Sequence, residues 1–406
     1  MSDKTIHTSE GAGIAPFAVS GLPRIVFGEG SLGQVPALLR QFGKRVLIVT
    51  GGRSFRASLH WQGLIDALKG RGLSWEDMVV EREPSPGLVD QAVRVYRHAG
   101  IEVVLGIGGG SALDAAKAIA GLLPHGNSVM DHLEGVGPEQ PYQGPSLPFI
   151  AVPTTAGTGS EATKNAVLSL RGPGGFKKSF RHDLLVARYA VVDPALLATC
   201  PPDLIAANGM DALTQLLESC VSTRANPFVD ALALSGLGYV REGLLDWYEG
   251  GEKAADGRAG MAYAALLSGI TLAQAGLGSV HGLAAPLGAL FPVPHGAACG
   301  ATVAAATEIN IRAMEKRDPD SRALEKYARI GRLFSRKHLD DAAARLFLVE
   351  ILREWTVRMK VPGLGAYGIR EADLDLIVAN SRGSSMKTNP IVLTDGEVRE
   401  ILLRCL

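Results

Sequence analysis

IEVVLGIGGGSALDAAKAIAGLL, residues 101–123, passes from an apolar, β-branched run through three glycines and a serine into an alanine-rich stretch with helical spacing. Such a continuous apolar run is what a strand buried on both faces requires, so the segment predicts strand, glycine turn and helix. Glycines let the chain turn sharply and let backbone N–H groups approach a pyrophosphate, and the helix N-terminus adds partial positive charge. The spacing is not GxGxxG, because Ser111 stands at the last position, and no Gly-Lys-Ser/Thr follows as in a P-loop. The turn is thus either a plain tight turn or an anion cradle. Asp114 and Lys117, three residues apart, form either a surface ion pair or a brace for that turn.

The flanking sequence repeats this grammar. Residues 45–50 (RVLIVT), 148–152 (PFIAV) and 189–192 (YAVV) are short apolar runs, and helical spacing lies between them at 63–69 and 87–98. Strands alternating with amphipathic helices predict a doubly wound parallel sheet. A second turn, PTTAGTGSEAT at 153–163, crowds Thr154, Thr155, Thr158 and Thr163 among glycines after a strand. Small hydroxyls there suit a phosphate, ribose or carboxamide, and also suit an ordinary capping loop. Two such turns in succession point to a dinucleotide.

After Pro201-Pro202 the texture changes to Ala- and Leu-rich stretches, at 204–223, 227–247, 259–277, 299–314, 321–334 and 340–359, all predicted helical. A chain of 406 residues exceeds the usual size of one core. It divides into an N-terminal tail (1–22), an α/β dinucleotide-binding domain (23–195) and an all-α metal-binding and substrate domain (196–406), with a ligand cleft between the halves.

Forty-one basic residues balance forty-one acidic ones, so no global field draws the protein to nucleic acid or an anionic membrane. Cys200, Cys220, Cys299 and Cys405 form no CxxC pair and read as reduced thiols of a cytoplasmic protein. Residues 1–20 lack the cationic and apolar regions of a signal peptide, and Gly or Pro interrupts every apolar run long enough to span a membrane.

HGLAAPLGALFPVPHG at 281–296 sets two of the nine histidines, His281 and His295, in an apolar run. Each is satisfied either by a hydrogen bond or by a metal. Asp211 and Gln215 are four apart in a predicted helix and share one face. Together the four offer a carboxylate oxygen, an amide oxygen and two imidazole nitrogens, a donor set for Fe²⁺, Zn²⁺ or Mn²⁺.

From Pro23 onward the chain resembles the iron-containing (group III) alcohol dehydrogenases. The resemblance rests on FGEG (27–30), GGGSALDAAK (108–117), PTTAGTGSEAT (153–163), DPALL (193–197), GMDALTQLLES (209–219), HGLAAPLGALFPVPHG (281–296) and Asn389-Pro390. It implies reversible NAD(P)-dependent oxidation of an alcohol to an aldehyde or ketone, with a divalent metal polarising the substrate oxygen. It further implies cofactor contacts at Gly109, Gly110, Ser111, Thr154, Thr155, Thr158, Thr163 and Lys177, metal ligands at Asp211, Gln215, His281 and His295, and a homodimer. Two positions depart from the family pattern. Gln215 stands where the family has a histidine ligand, and Ala285 where it has a histidine near the nicotinamide.

After the strand at 45–50, relatives that use NAD carry an acidic residue against the ribose, whereas Gly51-Gly52-Arg53-Ser54 stands here. Gly51 leaves room, Arg53 can pair with a 2′-phosphate and Ser54 can donate to it, so NADP is expected to be favoured. The expected substrate is a small neutral alcohol or aldehyde. The competing readings are a metal-depleted, non-catalytic nucleotide binder and a lyase resembling dehydroquinate synthase.

Overall fold

The computed structural model describes residues 14–172 and 174–406, so residues 1–13 of the expected tail lie outside the described residues. In chain order the elements are β1 (Arg24–Phe27), α1 (Val35–Leu39), β2 (Arg45–Gly51), α2 (Leu59–Gly70), β3 (Ser74–Val80), α3 (Pro86–Tyr96), β4 (Val103–Gly108), α4 (Gly110–Leu122), β5 (Phe149–Pro153), β6 (Asn165–Leu170), β7 (Phe176–Arg181) and β8 (Tyr189–Val192). Helices follow: α5 (Pro202–Val221), α6 (Pro227–Glu249), α7 (Ala254–Ala275), α8 (Ser279–Leu290), α9 (His295–Arg317), α10 (Arg322–Ser335), α11 (Asp341–Arg358), α12 (Leu374–Ala379) and α13 (Asp395–Leu403).

Six strands pair in the order β1-β8-β5-β4-β2-β3, every pairing parallel. The central strands β2 and β4 are buried on both faces, which is why their sequences read as unbroken apolar runs. Their side chains alternate between two cores. Val46 and Ile48 of β2 face a cluster that continues through Met210, Leu213, Leu266 and Ile309 of the helical half. Leu47 and Val49 face a second cluster with α3, α4 and Phe180 of β7.

The edge strand β3 and the hairpin strands β6 and β7 lay outside the apolar-run pattern for different reasons. The edge strand β3 (SWEDMVV) is half exposed and mixes charge with apolar residues. The antiparallel hairpin β6–β7 packs Ala166 and Leu168 of β6 and Phe180 of β7 against the α4 side, with polar residues between them. The chain leaves β2 for β3 on one side of the sheet and later leaves β4 for β5 on the other. The carboxyl ends of β2 and β4 therefore flank the point where strand order reverses, the place where open α/β sheets bind ligands. Among the described residues no single helix is long and apolar enough to cross a membrane. The apolar pair α7–α8 bends by 101° at residues 276–278 and is largely buried in the protein.

Candidate active site

At the reversal point the β4–α4 turn is built by close approach. Gly108 has φ 157°, and a Cβ there would meet Ala112 Cβ at 2.7 Å and the Gly51 backbone nitrogen at 3.1 Å. A Cβ on Gly110 would meet the Thr158 side chain at 2.8 Å, so the two glycine turns touch. Gly109 is the N-cap of α4, with extended backbone and no side-chain cap, which leaves the first amide groups of the helix open to an anion.

Lys117 ties the turns together and is fully buried rather than on the surface. Its ammonium donates to Ser160 O, Thr163 Oγ1 and Asn165 O, each at 2.8 Å, and stands 3.8 Å from Asp114 Oδ1. Asp114 in turn accepts from Ser160 Oγ and, at 3.1 Å, from Val167 N. Burial depresses the lysine to about 8, against the pull of Asp114 and Glu161. The brace is the alternative the structure selects for Asp114 and Lys117.

Three helices build the second half of the site. Asp211 and Gln215 sit on α5, His281 on α8, and His295 is the first residue of α9. His281 Nε2 lies 3.2 Å from Asp211 Oδ1, and His295 Nε2 lies 3.7 Å from the same oxygen. Asp211 Oδ2 and His295 Nδ1 are buried without a hydrogen-bond partner. Buried polar atoms without partners are costly, and a cation among these donors would satisfy the carboxylate. Burial pushes His295 down to about 4, so at neutral pH it carries a lone pair rather than a charge. Burial also opposes charge on His281, but Cys299, Asp211 and Glu218 outweigh it and hold this imidazole well above its usual range. Two carboxylates facing one ring favour positive charge there, and a divalent ion would meet the same demand. The residues fit a bound metal.

Gln215 is oriented differently. Its Nε2 donates to Asp211 Oδ1 at 3.3 Å, and its Oε1 accepts from Ser268 Oγ at 2.7 Å. The amide nitrogen, not the oxygen, faces the cluster.

Three contributors escaped the sequence reading. Cys299 Sγ stands 3.7 Å from His281 Nε2, and its donor atom joins those of Asp211, His281 and His295 within 4.8 Å of one another. The spacing His295–Cys299, four residues on one helix, was the available signal. Burial pushes this thiol up to about 12. Glu218, seven residues after Asp211 on the same α5 face, takes His281 Nδ1 at 2.7 Å and accepts from Gly278 N at 3.0 Å and Val280 N at 2.7 Å. It caps α8 and fixes the imidazole with Nε2 turned toward the cluster. Asn389 completes the cap by accepting from Ser279 N at 2.9 Å.

One cavity of about 500 Å³ joins the two halves. Gly109, Gly110, Ser111, Thr155, Thr158, Thr163 and Lys177 line it together with Asp211, Gln215, His281 and His295. Ala285 contributes a methyl group to the lining. Gly51 lies beside Gly108 at the end of β2, and Arg53 and Ser54 are exposed just beyond it. Thr154 N donates to Gly108 O at 3.0 Å and lies between the turns. No Lys or Arg is near the cage in sequence, yet Lys177, Arg181 and Arg224 reach the lining from elsewhere in the fold. Lys177 is paired with Glu83 at 2.9 Å and Arg181 with Glu134 at 2.9 Å.

Residues 23–194 match the family described as iron-containing alcohol dehydrogenase, and residues 205–406 match the C-terminal part of the same family. The chain is 32% identical over 406 positions to alcohol dehydrogenase 4 of Schizosaccharomyces pombe, covering 97% of this chain and 90% of that one. It is 31% identical over 396 positions to the NADPH-dependent butanol dehydrogenase of Clostridium saccharobutylicum, covering 94% and 96%. Among solved structures, an alcohol dehydrogenase of an archaeal halo-thermophile from a Red Sea brine pool superposes with a TM-score of 0.87 at 27% identity, covering 97% and 99%. With the glycine turn and the Asp–His cluster facing one cavity, the chain belongs to the iron-containing alcohol dehydrogenase family and is an NAD(P)-dependent, metal-binding alcohol oxidoreductase.

Proposed function

We propose that this enzyme interconverts small neutral alcohols with their aldehydes or ketones, prefers NADP(H), and holds its divalent ion on Asp211, His281 and His295. The observation that carries this reading is the single cavity lined at one end by the β4–α4 turn and at the other by the Asp–His cluster. A Zn²⁺ or Fe²⁺ held there would supply Lewis-acid polarisation of the substrate oxygen, and NADP(H) in the cleft would supply the hydride acceptor or donor.

The chain's own residues do the rest. Amide groups at the start of α4, exposed by Gly109 and Gly110 and followed by Ser111, receive the pyrophosphate. Thr154, Thr155, Thr158 and Thr163 present hydroxyls along the second turn, and Lys177 adds positive charge at the same wall. Arg53 and Ser54 hold the 2′-phosphate, with Gly51 leaving them room. Glu218 takes the proton at His281 Nδ1, so Nε2 would give its lone pair to an ion that displaces the proton it shares with Asp211. Ala285 offers no proton relay, so the alcohol proton leaves to solvent through the cleft. The apolar walls at Leu272 and Leu277 favour uncharged substrates.

A homodimer is the assembly we propose, supported by Ile25 and Phe27, which stand exposed on the edge strand β1. Four free cysteines, three of them buried, suit a cytoplasmic location.

Steady-state turnover of a primary-alcohol series with each cofactor tests the reading. The expected result is kcat/KM with NADP⁺ at least tenfold above that with NAD⁺, falling toward parity in Arg53→Ala. Equal efficiency with both cofactors in the wild-type enzyme rejects the preference.

A further inference from the structure

We propose that Cys299, rather than Gln215, is the fourth protein ligand of the metal site. The inference rests on the metal site proposed above and concerns its composition. Three distances carry it. Asp211 Oδ1 lies 3.2 Å from His281 Nε2 and 3.7 Å from His295 Nε2, while Cys299 Sγ lies 3.7 Å from His281 Nε2. A tetrahedral ion bonded at about 2.0 Å to oxygen and nitrogen and about 2.3 Å to sulfur separates its donors by roughly 3.3 Å between N and O and roughly 3.6 Å between N and S. Those three edges are already near these values, and all four donor atoms lie within 4.8 Å of one another.

Placement on the helices explains the fit. His295 and Cys299 are four residues apart on α9 and present their donors to one side, while Asp211 on α5 and His281 on α8 close the other. Gln215 is committed elsewhere, because Ser268 holds its oxygen and its nitrogen donates to Asp211. An N–H group has no lone pair to give a cation. To offer a cation its lone pairs the amide must turn over and give up the bond that its oxygen now accepts from Ser268 Oγ. Sulfur is also the softer donor, so a site of one carboxylate, two imidazoles and one thiolate selects Zn²⁺ or Co²⁺ over Mg²⁺ or Mn²⁺. The thiol proton is released to solvent when the metal binds.

Cobalt(II) added to the metal-free full-length protein reads the ligand set directly. We expect visible ligand-field absorption of a low-symmetry Co²⁺ site together with an intense near-ultraviolet sulfur-to-cobalt charge-transfer band. The band should disappear in Cys299→Ser and persist in Cys200→Ser, Cys220→Ser and Cys405→Ser, each variant checked for native circular dichroism. X-ray absorption of the wild-type cobalt form needs no variant and should show one sulfur at about 2.3 Å. Chelator competition should give Cys299→Ala at least a tenfold weaker hold on Co²⁺. Cobalt bound with ligand-field bands but without a sulfur scatterer overturns the assignment of Cys299 and leaves the metal site standing. Failure of the wild-type protein to take up cobalt overturns both.

Discussion

Glu218 is the residue whose role is most exposed to test. It holds His281 Nδ1 and caps two amides of α8 at once, so the neutral amide in Glu218→Gln loses a charge-assisted bond to the ring and weakens the helix start. Zinc affinity measured by chelator competition should fall by about 10- to 100-fold, with the fold retained. Unchanged affinity would reduce Glu218 to a helix cap. Glu161, within the second glycine turn, makes a separate prediction. Burial raises its carboxyl to about 7 from 4.5, against its own backbone N–H and the charge of Lys117. The folded protein therefore keeps a proton that the unfolded chain releases between pH 4.5 and about 7. Stability from this group is full below the unfolded value and lost as pH rises through the folded one. Glu161→Gln should remove that decline and raise stability at pH 8 by up to about 3 kcal/mol. Urea unfolding of both proteins at pH 5 and pH 8 measures it, and equal differences at the two pH values would refute it.

At the scale of elements, helix α7 meets the second glycine turn with no room for a side chain. A Cβ on Gly269 would lie 2.1 Å from Gly159 O, and one on Gly159 would lie 2.4 Å from Gly269 N. Gly269→Ala should therefore cost about 1–3 kcal/mol and, by displacing the turn that carries Thr158, weaken NADPH binding. Gly238, inside α6, meets nothing within 4 Å, and Gly238→Ala should instead stabilise by about 0.4–1 kcal/mol. Thermal melts and fluorescence titration of the pair decide it, since two equal shifts would mean that helix propensity alone is at work. The same elements show what was legible in the sequence. β2, β4 and β5 could be read because strands buried on both faces are uniformly apolar, and the turns after them because close backbone approach demands glycine. The hairpin β6–β7 could not, because half of each strand faces the cleft and is polar, and with it went the reason Lys177 reaches the site. α9 was expected from 299 and begins at His295, since Pro294 as N-cap and the glycine after the histidine hid its first turn. Asp211, His281 and His295 were recognisable singly by residue type. That Cys299 joins them while Gln215 turns its oxygen to Ser268 depends on how three helices cross, which spacing along one chain does not encode.

For the molecule as a whole, the two halves differ in texture but share one of the two cores. One buried cluster runs from Val46 and Ile48 of the sheet through α5, α7 and α9 to Ile401 and Leu402 at the C-terminal end. Separating the halves would expose that face of the sheet, and at about 25 cal/mol per Å² of apolar surface neither part regains the loss alone. The protein should therefore unfold in one calorimetric transition, despite a length that favours two units. Ligands sharpen the prediction, because the proposed nucleotide turns belong to the α/β half and the proposed metal donors to the helical half, while one cavity touches both. If the halves melt together, NADPH or Zn²⁺ at 100 times its Kd should each add about 2.7 kcal/mol to the same transition, and both together should move it further as one peak. If they melt separately, NADPH should shift only one peak and Zn²⁺ only the other. Differential scanning calorimetry of the metal-free protein with each ligand alone and with both distinguishes the outcomes, and two independently shifted peaks would show that the continuous core does not couple the halves.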